Sequence, residues 1–332
     1  MKKSLFERFP KLTLISFATL LLLSGIYLFN LLANKVFGLG NVVLYEANPI
    51  YGYRPIASQT VARQANHTIS INNLGLRADK DWDIHDFSHK ILFLGDSVTY
   101  GGSYITNQQL FSHLVGTHYP KFMTGNAGVN GWGVINVHAL IKEMQFLPAQ
   151  VYVSVFPEGD FYRGLNRIGG QPFWTRKPSC ALEELFQYFV YELQLKKGAI
   201  FNINIASPQE KELIVDIAVR HLKELDSYLK ENQRDHIIYI TPSQQELLGK
   251  SAQDEIIKNT LAKYGLNVIY IKDRIKEIPA DEIPQYFHDD IHLSEKGHQL
   301  WATIMAHDLK EILDHREKES LFVENQSGYS KS

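Results

Sequence analysis

The chain has 332 residues, of which 45% are hydrophobic and 12% aromatic, so it is long enough for one large core or two modest ones. A formal net charge of -2 at pH 7 excludes a broad basic surface, and no nucleic-acid partner is expected. Cys180 is the single cysteine, which excludes an intrachain disulfide, a four-cysteine metal site and a redox pair.

The N-terminal segment is strongly apolar. Residues 12–33 carry no charged side chain, and a helix of that length spans roughly 30 Å, enough to cross the hydrocarbon core of a bilayer. Basic residues are concentrated before this run: Lys2, Lys3, Arg8 and Lys11 precede it, and Lys35 follows it. The positive-inside rule therefore predicts that residues 1–11 stay in the cytoplasm and that everything after residue 35 is exported.

This pattern predicts an uncleaved, single-pass anchor in the cytoplasmic (inner) membrane, with a periplasmic or extracellular main domain. The alternative is a cleaved signal peptide. The apolar region of a signal peptide has about 7–15 residues and ends in a small-x-small site. Here the run is longer and ends in Leu31-Leu32-Ala33. We therefore expect the membrane to be a partner of the chain through residues 12–33.

After the anchor, the sequence divides into three parts. Residues 34–88 are predicted to form a connector and a small β-rich extension, because turn-forming residues separate short alternating stretches. Residues 89–316 alternate apolar runs with amphipathic stretches and are predicted to be the main domain. Residues 317–332 are polar and are predicted to be a frayed tail.

The main domain is predicted to have an α/β fold. Its five runs of buried-strand type are KILFLG (90–95), KFMTGN (121–126), VYVSVF (151–156), HIIYIT (236–241) and NVIYIK (267–272). Strands that alternate with helical patterns predict a mainly five-stranded parallel sheet covered on both sides, a flavodoxin-like three-layer αβα fold. Residues 161–206 break the alternation and are predicted to be an insertion near the carboxyl ends of the strands, where active sites lie.

The strongest local motif is GDSVTYG (95–101), directly after a predicted buried strand. A serine at a strand-to-helix turn exposes its hydroxyl at the edge of the sheet, where the following helix directs N–H groups at it. Ser97 is therefore a candidate nucleophile. Taken alone, the triplet fits equally simple capping of a helix by Asp96 or Ser97.

A second motif, HDDIHLSEKGH (288–298), precedes the last predicted helix. Asp289 is three residues before His292, so on a short turn it can accept a hydrogen bond from one imidazole nitrogen and leave the other to face Ser97. Nucleophile, base and orienting carboxylate divide their roles in this way. Asp290 offers an alternative Asp-x-His pairing.

With a third motif, NAGVNG (126–131), the sequence resembles the SGNH/GDSL hydrolase family over roughly residues 89–316. GDSVTYG is similar to the first block of that family, NAGVNG to the second and DDIH to the last, in the family's order. The resemblance implies an ester hydrolase with Ser97 as nucleophile and with Asp289 and His292 as the remaining members of a triad.

The third block of the family departs from its pattern here. The family typically has Gly-x-Asn-Asp, in which the Asn side chain is an oxyanion donor, whereas this sequence has PEGD (157–160). The resemblance implies the backbone N–H groups of Ser97 and Gly131 as oxyanion donors, with Gly159 as a candidate third. Three explanations are open: Arg163 replaces the Asn, the enzyme is slow but selective, or catalysis is lost.

The insertion supplies the candidate substrate-binding residues. Trp174 could stack on a sugar, and Arg163 could bind an acidic substrate; a packed lid and a solvated loop explain them equally well. The residues His288, Asp290, His292 and His298 could converge on a metal ion, but no complete ligand set can be identified. Neither a metal nor an organic cofactor is therefore expected.

The resemblance implies a serine esterase that acts outside the cytoplasmic membrane, on O-acyl groups of cell-envelope or secreted glycans. Its expected partner is an acylated carbohydrate or another ester; protein partners are unknown. The alternatives are an O-acyltransferase, a lipid or thioester hydrolase, and a catalytically silent glycan-binding domain, which the departure at Gly159 permits.

Overall fold

The computed structural model describes residues 4–63, 67–144, 148–164, 174–196 and 207–329. The described chain begins with a short helix α1 (Leu5–Arg8) and a long helix α2 (Pro10–Phe37). Helix α2 contains the whole predicted apolar run and is long and apolar enough to cross a membrane, a test that a signal sequence also passes. It ends at Gly38, whose φ of 65° is the left-handed conformation common after helices.

Two antiparallel hairpins follow α2. The first pairs β1 (Tyr45–Asn48) with β2 (Gly52–Pro55), and the second pairs β3 (Gln59–Arg63) with β4 (His67–Ile71). Alternate residues of β4 face inward, so Ile69 and Ile71 are buried whereas Thr68 is exposed. These side chains belong to the same apolar cluster as the central sheet. The extension and the main domain therefore share one core.

The main domain is built on a parallel sheet of five strands. They are β5 (Lys90–Gly95), β6 (Met123–Asn126), β7 (Val151–Pro157), β8 (Asp235–Thr241) and β9 (Val268–Tyr270). Their order across the sheet is β6-β5-β7-β8-β9, which is the flavodoxin-like order. The chain leaves β5 toward one edge and returns past it to β7. The carboxyl end of β5 therefore lies at the topological switch point, where such sheets bind ligands.

Helices cover both faces of this sheet. The longer ones are α4 (Phe111–His118), α5 (Val134–Glu143), α7 (Pro208–Glu231), α9 (Glu255–Lys263) and α10 (Glu295–Tyr329). Helices α5, α7 and α9 share an apolar cluster with Leu92 and Leu94 of β5, whereas α4 and α10 share the other cluster with Ile91 and Phe93. Because successive strand residues face opposite ways, these clusters lie on opposite faces. The predicted three-layer αβα fold is confirmed.

The described residues also form three further α-helices: α3 (Ser97–Tyr100), α6 (Ala181–Lys196) and α8 (Gln244–Leu247). Helix α6 belongs to the predicted insertion (161–206). Residues 165–173 and 197–206 of that insertion lie outside the described residues. Its Ala181 N–H donates to Asn30 Oδ1 of α2 at 2.6 Å. This part of the insertion is thus attached to α2, whereas the prediction placed it at the strand ends.

The predicted frayed tail, residues 317–332, is helical over most of its length, because α10 continues to Tyr329. No proline or glycine lies between Gly297 and Gly328, so no helix-breaking residue interrupts this stretch. A pairing of Arg316 with Glu319 one turn later adds support on the surface.

A buried ion pair holds α6 to the extension. Arg63 Nη2 lies 2.6 Å from Glu184 Oε1, and the two side chains are 8% and 0% exposed. Glu184 also accepts the Gly40 N–H at 2.5 Å, and Arg63 donates to the Gly38 carbonyl oxygen at 2.9 Å. The pair therefore links the end of α2, strand β3 and α6 at one point.

The variant Glu184→Ala is expected to lower the free energy of unfolding by about 3–5 kcal/mol, because it leaves the Arg63 guanidinium buried without a counter-charge. Urea unfolding of the full chain in detergent, followed by tryptophan fluorescence, measures the change. The control Arg220→Ala removes an exposed pair with Asp216 and should cost at most about 1 kcal/mol. Equal losses in both variants would contradict the role of the buried pair.

Candidate active site

Ser97 lies where strand β5 turns into helix α3, at the carboxyl edge of the sheet. Gly95 permits this turn, because its φ is 157° and a Cβ there would clash with the Val155 carbonyl oxygen. The Asp96 carboxylate caps α3 by accepting the Val98 N–H at 2.8 Å. Both uses of the motif occur together: Asp96 is the cap, and Ser97 is left at the edge of the sheet.

Ser97, His292 and Asp289 form a continuous hydrogen-bonded chain. Ser97 Oγ lies 2.7 Å from His292 Nε2, and His292 Nδ1 lies 2.7 Å from Asp289 Oδ2. Because an ionised carboxylate can only accept, we assign the ring proton to Nδ1, which leaves Nε2 to accept from the Ser97 hydroxyl. Asp289 thus orients the ring, while the other candidate, Asp290, accepts the Gln244 N–H through its backbone oxygen.

The loop before α10 holds Asp289 and His292 in place. The His288 N–H donates to the His292 carbonyl oxygen at 2.7 Å, so the loop closes on itself. Inside it, Asp289 Oδ1 accepts the N–H groups of Ile291 at 2.9 Å and His292 at 2.8 Å. Partial burial acts to raise the pKa of Asp289, but these donors and the His292 ring outweigh it and keep that pKa below its ordinary value. The carboxylate therefore stays charged.

Two backbone N–H groups are the candidate oxyanion donors. Ser97 begins α3, and Gly131 follows β6 with a φ of 78°, a left-handed conformation that favours glycine. Within the described part of the chain, neither N–H donates to a protein acceptor. Free donors of this kind can bind the oxyanion of a tetrahedral intermediate. The backbone thus permits the predicted role of Gly131, which stays a prediction.

Asn126 has no role predicted from the sequence, yet it fastens the Ser97 turn to the Gly131 loop. Its Nδ2 donates to the Thr99 carbonyl oxygen at 2.6 Å, and its Oδ1 accepts the Gly128 N–H at 2.8 Å. Tyr53 secures the same loop by donating to the Asn130 carbonyl oxygen at 2.5 Å. A buried amide at a strand end needs such partners. Its place at the start of the NAGVNG motif is the signal that could have identified it.

Arg163 is the counter-ion of two buried carboxylates. Its Nη1 lies 2.9 Å from Asp96 Oδ2 and 2.5 Å from Asp160 Oδ1, and it donates to the Trp132 carbonyl oxygen at 2.8 Å. Burial and the neighbouring Asp96 charge raise the pKa of Asp160 well above its usual range, and Arg163 opposes this shift. Nη1 is therefore engaged with protein acceptors, and these contacts do not provide the predicted replacement for the missing Asn.

The Arg163 contact also affects the Ser97 hydroxyl. Ser97 Oγ lies 3.2 Å from Asp96 Oδ2 as well as 2.7 Å from His292 Nε2, so its proton has two candidate acceptors. Arg163 donates to the same oxygen of Asp96 and reduces the negative potential there. The shorter hydrogen bond to His292 is thereby favoured, which keeps the serine proton on the side of the base.

Gly159 stands where the family has its Asn, and the space beside it is open. It lies in a 3-10 helix (Glu158–Tyr162) that follows β7. A Cβ built at Gly159 meets no atom within 4 Å. A side chain could therefore enter this space without displacing its neighbours. A direct contribution of Gly159 to the oxyanion hole stays a prediction.

Trp174, the candidate for sugar stacking, is only 8% exposed. Its carbonyl oxygen accepts the Tyr45 N–H at 2.7 Å, which attaches it to strand β1. Stacking on a sugar requires an exposed ring face, and little of this ring is exposed. Its environment in the described structure is that of a packed residue.

The histidines of the second motif contact different partners in the structure. The rings of His288 and Tyr104 are stacked with centroids 3.8 Å apart. His298 is buried and accepts the Phe111 N–H at 3.1 Å through Nδ1; burial lowers its pKa to about 3 and keeps it neutral. Together with the engagement of His292 by Ser97, these contacts give each ring its own partner rather than a common centre.

A different group could hold a metal ion. His138 on α5 and His221 and Glu224 on α7 each place one donor atom within 4.8 Å of the others. The Nδ1 atoms of the two histidines are 2.8 Å apart. Burial, followed by the nearby His221, lowers the pKa of His138 to about 4, so the ring is neutral as a ligand must be. No step of the chemistry at Ser97 involves this group.

The variant Gly159→Asn is expected to raise kcat for a small ester by about tenfold or more, because an amide donor to the oxyanion is worth about 2.7–4 kcal/mol. Hydrolysis of p-nitrophenyl acetate at saturating concentration measures the change. Gly159→Leu is the control: it has a similar size without an N–H and should give no acceleration. An Asn variant no faster than the native chain would show that the side chain cannot reach the oxyanion.

The variant Arg163→Met is expected to lower the free energy of unfolding by about 3–5 kcal/mol and to reduce kcat, because Asp96 and Asp160 lose their counter-ion beneath Ser97. Urea unfolding and ester hydrolysis measure the two effects. Since one nitrogen makes all three contacts, Arg163→Lys should retain most of both properties. A Lys variant as impaired as the Met variant would contradict a role based on charge.

No family model matches the sequence, and no curated protein matches it. Similar solved structures include a G-D-S-L family lipolytic protein from Desulfitobacterium hafniense, at 11% identity over 66% of this chain and 99% of that chain, with a TM-score of 0.39. A second member from Veillonella parvula has 14% identity over 65% and 94% of the two chains, with a TM-score of 0.36. An acetylxylan esterase mutant from Geobacillus stearothermophilus has 16% identity over 68% and 94%, with a TM-score of 0.40.

The assignment of the fold depends on the chain itself. Its parallel sheet has the flavodoxin-like order, and GDSVTYG, NAGVNG and the DDIH segment follow one another along the chain as the blocks of the family do. The first two of these motifs continue directly from the neighbouring strands β5 and β6. The chain has a flavodoxin-like three-layer αβα fold, and its sequence blocks resemble those of the SGNH/GDSL hydrolase family.

Proposed function

We propose that this chain is a serine esterase that cleaves acyl esters at Ser97. The observation that carries the proposal is the pair of 2.7 Å hydrogen bonds that joins Ser97 to His292 and His292 to Asp289. These atoms come from two ends of the main domain, 195 positions apart in sequence for Ser97 and His292. A silent glycan-binding domain would not require this alignment, so the geometry favours catalysis.

The reaction begins when His292 Nε2 takes the Ser97 proton as Oγ attacks the ester carbonyl carbon. The N–H groups of Ser97 and Gly131 bind the oxyanion of the tetrahedral intermediate, and Asp289 stabilises the imidazolium. The intermediate collapses as His292 returns the proton to the departing alcohol, which leaves an acyl-enzyme. His292 then deprotonates a water molecule, and the oxygen of that water attacks the carbonyl carbon of the acyl-enzyme. The carboxylic acid is released, and His292 returns the proton to Ser97 Oγ.

The proposed substrates are O-acyl groups on cell-envelope or secreted glycans. The side chains of His292 and Asp289 are 25% and 51% exposed, so the reacting groups are open to solvent. An acyl group attached to a bulky polymer can approach such a site, whereas a lipid hydrolase needs an apolar channel for its substrate. Acetylated xylan is the first polymer to test, since one of the similar structures is an acetylxylan esterase.

The proposed location follows from helix α2. Its apolar side chains are exposed along most of its length, among them Leu14, Leu21 and Leu28 at 62%, 58% and 57%. An exposed apolar helix of this length is stable in a bilayer. With the basic residues before it, this predicts a single-pass anchor in the cytoplasmic membrane and an esterase domain on the outer side.

The variant Ser97→Ala of the full chain in detergent is expected to lose p-nitrophenyl acetate hydrolysis by about 10⁴-fold or more, because it removes the nucleophile. Native protein should also be labelled covalently by a fluorophosphonate probe, whereas the Ala variant should not. The control Ser251→Ala changes an exposed serine and should leave both readouts intact. Equal turnover and labelling in native and Ser97→Ala protein, or neither in the native protein, would overturn the proposal.

A further inference from the structure

Helix α6 carries an apolar face that no described residue covers. Its exposed large side chains recur at intervals of three or four residues and are Leu182, Leu185, Phe186, Phe189 and Leu193. At 100° per residue these positions fall within one face about 100° wide. Phe186 and Phe189 are 62% and 60% exposed. An apolar face of this kind on a protein in water indicates a binding surface.

The opposite side of α6 is held to the protein, so the direction of the apolar face is fixed. Ala181 and Glu184 are buried there, and Glu184 makes the ion pair with Arg63. Glu184 also accepts the Gly40 N–H. A rotation of α6 that buried Phe186 would break this pair and leave both charges without a partner, which costs several times more than an exposed pair contributes.

The start of α6 lies beside the outer end of α2. Asn30 Oδ1 accepts the Ala181 N–H, and Asn30 is less than one turn before Ala33, where the uncharged run ends. At this level α2 also exposes Leu32 and Phe37, at 62% and 57%. The apolar surface of the predicted anchor thus continues onto α6 where the anchor leaves the hydrocarbon core.

An apolar cavity of about 450 Å³ lies between the two helices. Its lining includes Phe29, Leu32 and Val36 of α2 and Leu185 of α6. The charged residue in the lining, Arg63, is already paired with Glu184. The other lining residues are apolar, so the cavity suits the hydrocarbon of a lipid acyl chain.

We propose that α6 lies along the outer surface of the bilayer that α2 crosses, with Phe186 and Phe189 buried at the boundary between headgroups and acyl chains. An amphipathic helix binds a membrane surface in this position. The proposal rests on the anchoring of α2 that is part of the proposed function. Exposed Glu192 and half-buried Glu183, which is paired with Arg176, flank the apolar residues, so attachment depends on apolar burial and does not require anionic lipids.

This contact would fix the orientation of the esterase domain. A single helix leaves the domain free to tilt about its linker, whereas a second contact beside the helix restricts that movement. The ion pair of Glu184 with Arg63 passes the restraint to β3, whose hairpin shares the core of the main domain. The Ser97 site would then be held at a constant height above the membrane, within reach of acylated chains close to the cell surface.

Depth-dependent fluorescence quenching tests the proposal on the full chain. In a Cys180→Ser background, the single-cysteine variants Leu21→Cys, Phe186→Cys and Leu213→Cys are labelled with an environment-sensitive dye and inserted into phosphatidylcholine nanodiscs. Leu213 lies on α7 and is 60% exposed, which makes it a matched control for Phe186 at 62%. Fluorophosphonate labelling of Ser97 verifies that each variant is folded.

The labels at Leu21 and Phe186 are expected to lose fluorescence when the nanodiscs contain a doxyl-labelled phosphatidylcholine, and the label at Leu213 is expected to lose none. Quenching at Leu21 with none at Phe186 would overturn the inference and leave the anchor intact. No quenching at Leu21 would overturn the anchor, and the inference with it. A blue-shifted but unquenched label at Phe186 would assign this face to a second copy of the chain, which also overturns the inference.

Discussion

The candidate active site depends on how the charge of Asp96 is balanced. This carboxylate is fully buried, caps the helix that begins at Ser97 and lies 3.2 Å from the Ser97 hydroxyl. Uncompensated, it would compete with His292 for the serine proton and would destabilise the core. One nitrogen of the Arg163 guanidinium donates to Asp96 and offsets its negative charge. Burial and the Asp96 charge raise the pKa of Asp160. Asp96, Asp160 and Arg163 therefore determine whether the hydrogen bond from Ser97 to His292 is favoured over the one to Asp96.

Sequence reasoning predicted the features that short segments determine. Every strand of the sheet except β6 is a compact apolar run, and the spacing from Asp289 to His292 fits one loop, so the fold and the alignment of Ser97, His292 and Asp289 could be anticipated. The partner of Arg163 could not be predicted from the sequence. Arg163 and Asp96 are 67 positions apart, and their meeting depends on the backbone path after β7. A polar residue in an irregular segment has many sterically allowed partners, and only the three-dimensional fold selects one.

Helix α6 shows a second limit of sequence patterns. An amphipathic stretch next to strand ends suggests a lid, yet the described helix is attached to α2. The decisive contact pairs Arg63 with Glu184 across 121 positions, and nothing local to either residue indicates it. The pattern of apolar residues is also ambiguous, because α6 has a side packed on the protein and a separate exposed apolar face. A single sequence shows that a helix is amphipathic, but it does not show which surfaces its faces contact.

For the proposed esterase, the departure at Gly159 is expected to affect the rate more than the type of reaction. The candidate oxyanion donors that remain are backbone N–H groups, whose loops are held by Asn126 and Tyr53 through short hydrogen bonds. Donors fixed in this way need little reorganisation when the negative charge develops. The absent Asn would have added about 2.7–4 kcal/mol of transition-state stabilisation. At Gly159 itself a Cβ would meet no atom within 4 Å, so no neighbouring atom excludes a larger residue at this position. For the proposed esterase, a glycine at this position is therefore expected to slow the chemical step and to leave the Ser97–His292–Asp289 alignment intact.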